Sequence, residues 1–590
     1  MNTLIKKLKL ADRLLATTVF CVTLLLFLPS VWFDADIFDD FSYLNALQGD
    51  NLPAFFDFIF TPVLKLRSPL VQLSFFTERL LWGKQLFSYG LHLSNIIYHA
   101  SGAVLLYVLC RKLRLRPEGK NIHLAPAWCA AAALLWACHP QRVESVAWIS
   151  ERKDLLLAIC FFSALIQLIR FIRTGRGGYW AFFLYLLSYS VKPMLIIFPF
   201  IVFVLLRIET GKFFSKRNNR ICLPYFLSLI PFLLYLSPTL LQFSGKHPPF
   251  YTLGVIFTNI GNYFKSAVIP DNLLPFYPFY HPRESFFLPT AVFILLLAAV
   301  YFFCNQKKEL RNILLLTLLL FPVTLAPVSG FVRIGNCDWA DRYNLLPSCF
   351  LLIPAIFLLQ SFYSEKKFQR IIVVCASSVY LLFLIIQTSI YLPVWRSYKS
   401  VLIGSVENIK TPNYRIAFIA SFCAFLEKDY MLAQKIAFSL NPEDVYLPSD
   451  RNFILLFRES MTGLLEMLSK DQNRGGKRLT NLLLANTQPL LVWVSSGYLD
   501  VVTDAAAYWN LKNNNPAMAA KLYRLSEPHT NFADKKLVYS IKADLLENNF
   551  HRAEQTIRLL KQQFPRHVLL KDFEQQLKKY QNGQVKKNEK

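Results

Sequence analysis

Long apolar runs alternate with short charged connections over the first 390 or so positions of the chain. The runs lie near 14–33, 89–110, 124–138, 154–172, 179–191, 193–206, 221–242, 287–304, 312–328, 344–362 and 371–391. A helix needs about 20 apolar residues to cross the hydrocarbon core. Several runs are shorter, above all 179–191 and 193–206, which Lys192-Pro193 separates; these call for tilt, bilayer thinning or a re-entrant pairing. After about position 400 aromatic density falls and apolar positions recur at helical spacing among polar ones. The pattern predicts an all-α protein in three parts: a polytopic membrane bundle of about eleven spans in 1–395, a soluble helical-repeat domain in 396–580, and a basic disordered tail in 581–590.

The connections refine this picture. The stretch 34–88 is too long for a turn and carries Phe and Leu in amphipathic spacing, so helices lying in the membrane interface are expected. Segment 252–286 mixes aromatics with Pro, as suits a membrane-water boundary. Lys and Arg crowd the short connections on the amino-terminal side, for example 111–123 and 207–220. This bias places the N-terminus in the cytoplasm, and an odd number of spans then puts everything after Tyr391 on the opposite face.

Composition agrees with a membrane protein: 54% of residues are hydrophobic, 15% are aromatic and 52 are Phe. The net charge of +26 sits in clusters between apolar runs, so anionic lipid headgroups, rather than nucleic acid, are its expected counter-charge. Eleven scattered Cys imply no disulfide framework. The basic start, with Lys6, Lys7, Lys9 and Arg13, precedes a run long enough to span, and no small-x-small cleavage site follows it. A retained first span is expected rather than a cleaved signal.

A repeat runs through the carboxy-terminal part. Asp429-Tyr-Met-Leu-Ala433, Asn515-Pro-Ala-Met-Ala519 and Asn549-Phe-His-Arg-Ala553 share one frame, and Ala519 and Ala553 fall 34 positions apart, the tetratricopeptide period. Pro442 and Pro528 each follow their Ala by nine residues. Such repeats stack helix pairs into a concave surface that holds a peptide or protein; the plainer alternative is a helical bundle with recurring Ala.

Four polar groups on the far side can carry chemistry. Asp39 and Asp40 follow the first span, where a carboxylate can take a proton from an acceptor hydroxyl; the bland alternative is a solvated acidic cap. The run His139-Pro-Gln-Arg-Val-Glu144 through Glu151-Arg152-Lys153-Asp154 supplies Arg142, Arg152 and Lys153, which suit a phosphate, against a background of ordinary salt-bridged turns. His139 with Glu144 forms only a weak metal pair. Lys192 is a cation between two short apolar runs, where either a phosphate or simple snorkelling accounts for it. Asp341-Arg342, before the span at 344–362, offers another phosphate contact with Asp341 to orient it, or a plain helix cap.

Six segments in order carry a likeness: Phe38-Asp-Asp-Phe-Ser-Tyr43; Arg67-Ser-Pro-Leu with Leu91-His-Leu-Ser-Asn-Ile-Ile-Tyr-His99; His139-Pro through Asp154; Ser190-Val-Lys-Pro193; Tyr263-Phe-Lys265 with Phe276-Tyr-Pro278; and Ala340-Asp-Arg-Tyr-Asn-Leu-Leu-Pro347. Together they resemble the membrane-and-tetratricopeptide (TMTC-like) family of GT-C glycosyltransferases, relatives of the protein O-mannosyltransferases. The resemblance implies inverting hexosyl or mannosyl transfer from a polyprenyl-phosphate sugar to a hydroxyl outside the cytoplasm, with Asp39 or Asp40 as base; which of the two acts stays open. Arg142, Arg152, Lys153, Lys192 and Arg342 are then expected at the donor phosphate, with His139, Glu144, Asp154 and Asp341 in support. No ligand set compels a metal, although a divalent ion can assist such chemistry. The repeats favour a protein acceptor, hence O-glycosylation. The compartment is then either a bacterial inner membrane, with the repeat domain in the periplasm, or the endoplasmic reticulum, and the absence of any Asn-x-Ser/Thr acceptor favours the bacterial one. The rival expectations are a non-catalytic scaffold and a lipid-linked glycan flippase or ligase.

Overall fold

A computed structural model gives the fold. It describes residues 2–588 apart from 36, 48–50, 64–66, 116–121, 232, 235–248, 279–287, 304–307, 331–336, 364–366, 408, 410–411, 445–447, 486–496, 531–532 and 566. The protein is helical. Among the described residues the one sheet is a two-residue antiparallel pair, Arg114–Leu115 against Ile122–His123. Two compact units are present: Met1–Tyr277 with Pro282–Gly404, and Pro278–His281 with Ser405–Lys590.

Among the described residues, five helices of the first unit are long and apolar enough to cross a membrane: Leu10–Trp32, Leu86–Lys112, Ile149–Thr174, Pro193–Thr210 and Phe368–Trp395. Shorter apolar helices occupy Pro126–Ala137, Gly178–Ser188, Thr290–Ala299, Leu314–Val328 and Cys349–Gln360, at the places of five further expected runs. The run 221–242 begins within the helix Lys216–Leu227, and its end lies outside the described residues.

In the stretch 34–88 the chain forms α2 (Asp39–Ala46), α3 (Leu52–Phe60) and the first part of α4 (Pro69–Lys112), which follow α1 (Asn2–Phe27). Leu52, Phe56, Phe60, Leu80 and Leu81 are exposed there, as suits helices with one face in lipid. Gly83, with φ 61° and ψ −177°, breaks α4 between this arm and the span that begins at Leu86. A side chain is disfavoured at that φ, so glycine is what lets the chain turn. The Gln72 side-chain amide fastens α3 to α4 by donating to the carbonyls of Phe58 and Thr61, the latter at 2.9 Å.

The connection 138–151 folds into a 3-10 turn (Pro140–Arg142), α6 (Val143–Ala147) and a second 3-10 turn (Ile149–Glu151), and α7 (Arg152–Thr174) follows. The expected run 344–362 becomes a helix only at Cys349, because Asp341–Asn344 form a 3-10 turn ahead of it.

The second unit is a series of helix pairs, and the sequence frame recurs in it as one joint. Lys428, Asn514 and Asn548 each adopt a positive φ, at 66°, 60° and 60°. The N–H of the next residue, Asp429, Asn515 or Asn549, reaches back to the carbonyl of Ala424, Asn510 or Asp544 at 2.8–2.9 Å. Asp429 and Asn515 then cap the following helices at the N–H groups of Leu432 and Met518. Ala433, Ala519 and Ala553 are fully buried. The last helix, Leu570–Asn588, runs through most of the segment expected as a tail.

A close backbone contact in this unit joins Pro448–Leu468 to Gln472–Leu484. A Cβ at Gly475 would stand 2.7 Å from the carbonyl oxygen of Gly463 and the same distance from the nitrogen of Met467. Backbone atoms cannot swing aside, so Gly475→Ala is expected to lower stability by about 1–3 kcal/mol despite alanine's better helix propensity. Denaturant unfolding of the purified protein checks this, and an unchanged midpoint contradicts the contact.

Candidate active site

Every residue from His139 to Asp154 is buried, although the stretch holds seven charged or titratable side chains. A buried charge is tolerated only with a partner, and here the partners come from distant parts of the first unit. Glu144 accepts the main-chain N–H of Arg342 at 2.8 Å and pairs with its guanidinium. Arg152 donates to Glu78 at 2.7 Å and to the carbonyl of Leu91 at 3.1 Å, with its guanidinium over the Phe75 ring. Arg142 donates to the Trp136 carbonyl at 3.1 Å and to the Ser348 hydroxyl at 2.6 Å. Arg142 and Arg152 are thereby committed to holding this segment against α4, α5 (Pro126–Ala137) and the helix Cys349–Phe362.

The acids of α2 dock on the same segment. Asp40 is fully buried and its Oδ1 accepts the Ser150 N–H at 2.7 Å. Burial pushes its carboxyl up from 3.8 to about 7, against the lowering effect of that hydrogen bond. Asp39, one position earlier, keeps 35% of its side chain exposed and lies 3.5 Å from the Lys153 ammonium. The residue before the pair, Phe38, has φ 45° and ψ −105°, a conformation costly for an aromatic residue. The surroundings hold it there. Its ring packs on Phe276 and Tyr398, each 4.9 Å away between centroids, and on Trp148 at 5.9 Å. The Trp148 indole N–H also donates to the Ile37 carbonyl at 3.0 Å.

Three cations collect around Glu151, and one of them, Lys153, also faces Asp39. Lys153 at the start of α7, Lys192 just before Pro193, and Arg342 in the 3-10 turn Asp341–Asn344 all approach Glu151, at 3.2, 3.5 and 3.9 Å. Lys192 also pairs with Asp154 at 2.7 Å, and both Lys192 and Arg342 lie over the Tyr343 ring. Burial lowers the Lys192 pKa, but Asp154 and Glu151 outweigh it and keep the pKa above the usual lysine value.

Behind Arg342, Asp341 accepts from the Gln141 amide at 3.0 Å and from the Tyr277 hydroxyl at 3.0 and 3.1 Å. Burial, with Glu144 nearby, raises its carboxyl to about 7. Asn344 closes the network by donating to Gln141 and to the Tyr263 carbonyl. His139 accepts the Gln141 N–H at Nδ1, and Glu144 is tied to Arg342, so the two do not serve one metal. Among the described residues no three His, Cys, Asp or Glu side chains are grouped to hold a metal ion.

The structure thus brings Asp39, Asp40, Glu144, Lys153, Asp154, Lys192 and Arg342 into one cluster. It sets Asp341 and His139 behind that cluster and turns Arg142 and Arg152 toward other partners. Sequence reasoning did not single out Glu151, Ser150, Tyr343 or Tyr277. Glu151 stood within the charged run, but nothing in its spacing announced that three cations would meet on it.

No protein-family model matches the chain. Curated proteins match over part of their length. The human Protein O-mannosyl-transferase TMTC4 is 35% identical over 105 residues, 17% of this chain and 14% of that protein. The Mus musculus protein of the same name is 40% identical over 76 residues, 12% of this chain and 10% of that protein. The likeness marks a TMTC-like relationship over a limited stretch, and the chain covers 14% of the length of the first of these relatives.

Proposed function

We propose that this membrane protein is an inverting glycosyltransferase that moves a sugar from a polyprenyl-phosphate carrier to a hydroxyl of an extracytoplasmic protein. The observation that carries the reading is a partly exposed carboxylate, Asp39, facing Lys153, which together with Lys192 and Arg342 converges from separate elements on Glu151. The partial likeness to proteins named as O-mannosyl-transferases supports it.

In this reading Asp39 takes the proton of the acceptor hydroxyl, whose oxygen attacks the anomeric carbon from the face opposite the phosphate. The bond from that carbon to the phosphate oxygen breaks, and Lys153, Lys192 and Arg342 offset the charge that grows on the departing phosphate. A glycosyl phosphate already has a good leaving group, so a base, alignment and cations suffice. Asp40 is the positioning partner: buried and bonded to Ser150, it fixes the start of α2 and cannot reach an acceptor. Arg142 and Arg152 act from behind, holding the segment that presents Glu151 and Lys153. The GT-C architecture, the full set of eleven spans, the bacterial inner membrane with a cytoplasmic N-terminus, and tetratricopeptide-like repeats that grip the acceptor complete the reading. The recurring joint at Asp429, Asn515 and Asn549 supports the last of these.

Intact-mass spectrometry of extracytoplasmic proteins from cells with and without the gene tests the whole reading. A hexose-sized increment is expected to vanish with the gene, and identical spectra contradict the reading. Asp39→Asn is expected to lower transfer by about 100-fold to 10,000-fold with the fold intact. Asp40→Asn, which keeps the acceptor for the Ser150 N–H, is expected to retain most activity; the opposite ranking assigns the base to Asp40. A pH series separates the two acids further. Because the folded protein holds the Asp40 proton up to about pH 7 while the unfolded chain releases it near 3.8, its contribution to stability is complete below 3.8 and is lost as pH rises through 7. Asp40→Asn is therefore expected to melt above the wild type at pH 8, with the gap closing toward pH 4.

A further inference from the structure

Lys153, Lys192 and Arg342 each possess a carboxylate of their own: Asp39 at 3.5 Å, Asp154 at 2.7 Å, and Glu144, which also takes the Arg342 main-chain N–H. Glu151 is the carboxylate they share. Its Oε1 faces Lys153 at 3.2 Å and Arg342 at 3.9 Å, and its Oε2 faces Lys192 at 3.5 Å. None of these contacts is as short as the Lys192–Asp154 pair, and together they spread one negative charge over three positive ones.

This arrangement constrains any anion that binds here. A phosphate has the right shape to touch three converging cations at once, but the position from which all three are reached is the one Glu151 holds. Leaving Glu151 in place would set two anions side by side out of water, where repulsion is far larger than in water. Glu144 is anchored at two groups of Arg342 and Asp154 closely at Lys192, whereas Glu151 occupies the point on which all three cations converge.

We infer that Glu151 is a positioning residue that stands in for the donor phosphate. It keeps the three cations converged while the site is empty, gives way when the phosphate arrives, and by returning promotes release of the spent lipid phosphate. The inference rests on the lipid-phosphate reading above and adds to it a residue that governs how tightly the phosphate is held.

The test uses the full-length protein in lipid nanodiscs, with inorganic phosphate and farnesyl phosphate as probes, and compares the wild type with Glu151→Gln and Glu151→Asp. Glu151→Gln preserves shape and removes the charge. It is expected to bind both probes at least about tenfold tighter, with donor KM and kcat falling together as product release slows. Glu151→Asp draws the carboxylate back from Lys192 and Arg342 and is expected to tighten binding by about threefold. A folded Glu151→Gln protein with unchanged or weaker phosphate affinity overturns the inference. Should that variant fail to fold, unchanged affinity in Glu151→Asp overturns it equally. Tighter phosphate binding in a protein that transfers no sugar supports the stand-in role and removes the glycosyltransferase reading. Sugar transfer with unaltered phosphate affinity in the variants does the reverse.

Discussion

The arrangement of the first unit depends on one constraint: the charge-rich segment His139–Asp154 lies out of water, and its ions need polar or charged partners there. The partners come from Glu78 on α4, from Lys192 between two apolar helices and from Arg342 some two hundred positions away. Removing one partner leaves a buried charge uncompensated, which costs several kcal/mol in typical proteins. The charges therefore fix which helices are neighbours, while the apolar faces supply most of the burial.

The same constraint builds the site. Because Ser150 presents its N–H and Trp148 its indole to the loop after the first span, Asp40 and Ile37 are held and the strained Phe38 turns Asp39 toward Lys153. A carboxylate beside a buried, paired cation is preorganised: no solvent shell has to rearrange when charge shifts during group transfer.

Much of the helical layout was readable from apolar runs, since a span and a capped helix pair both follow from local pattern. The repeat frame at Asp429, Asn515 and Asn549 was visible for the same reason: a left-handed residue, a main-chain hydrogen bond back to the preceding helix and a buried Ala are local features of one joint. The division of labour inside the site was not readable. Asp39 and Asp40 are adjacent and alike in sequence, and only a contact 110 positions away buries one and leaves the other half open. Arg152 and Lys153 are likewise neighbours, yet helix geometry points one at Glu78 and the other at Asp39. Side-chain direction across long-range packing, rather than residue type, decides which cations serve the fold and which face the acid.

The most direct measurement is a cryo-electron-microscopy structure of the protein in nanodiscs with a non-hydrolysable polyprenyl phosphonate sugar. The account predicts the phosphonate in contact with Lys153, Lys192 and Arg342, and the sugar's anomeric carbon on the Asp39 side. A phosphonate bound elsewhere in the bundle, with Asp39 turned away from the sugar, would contradict it.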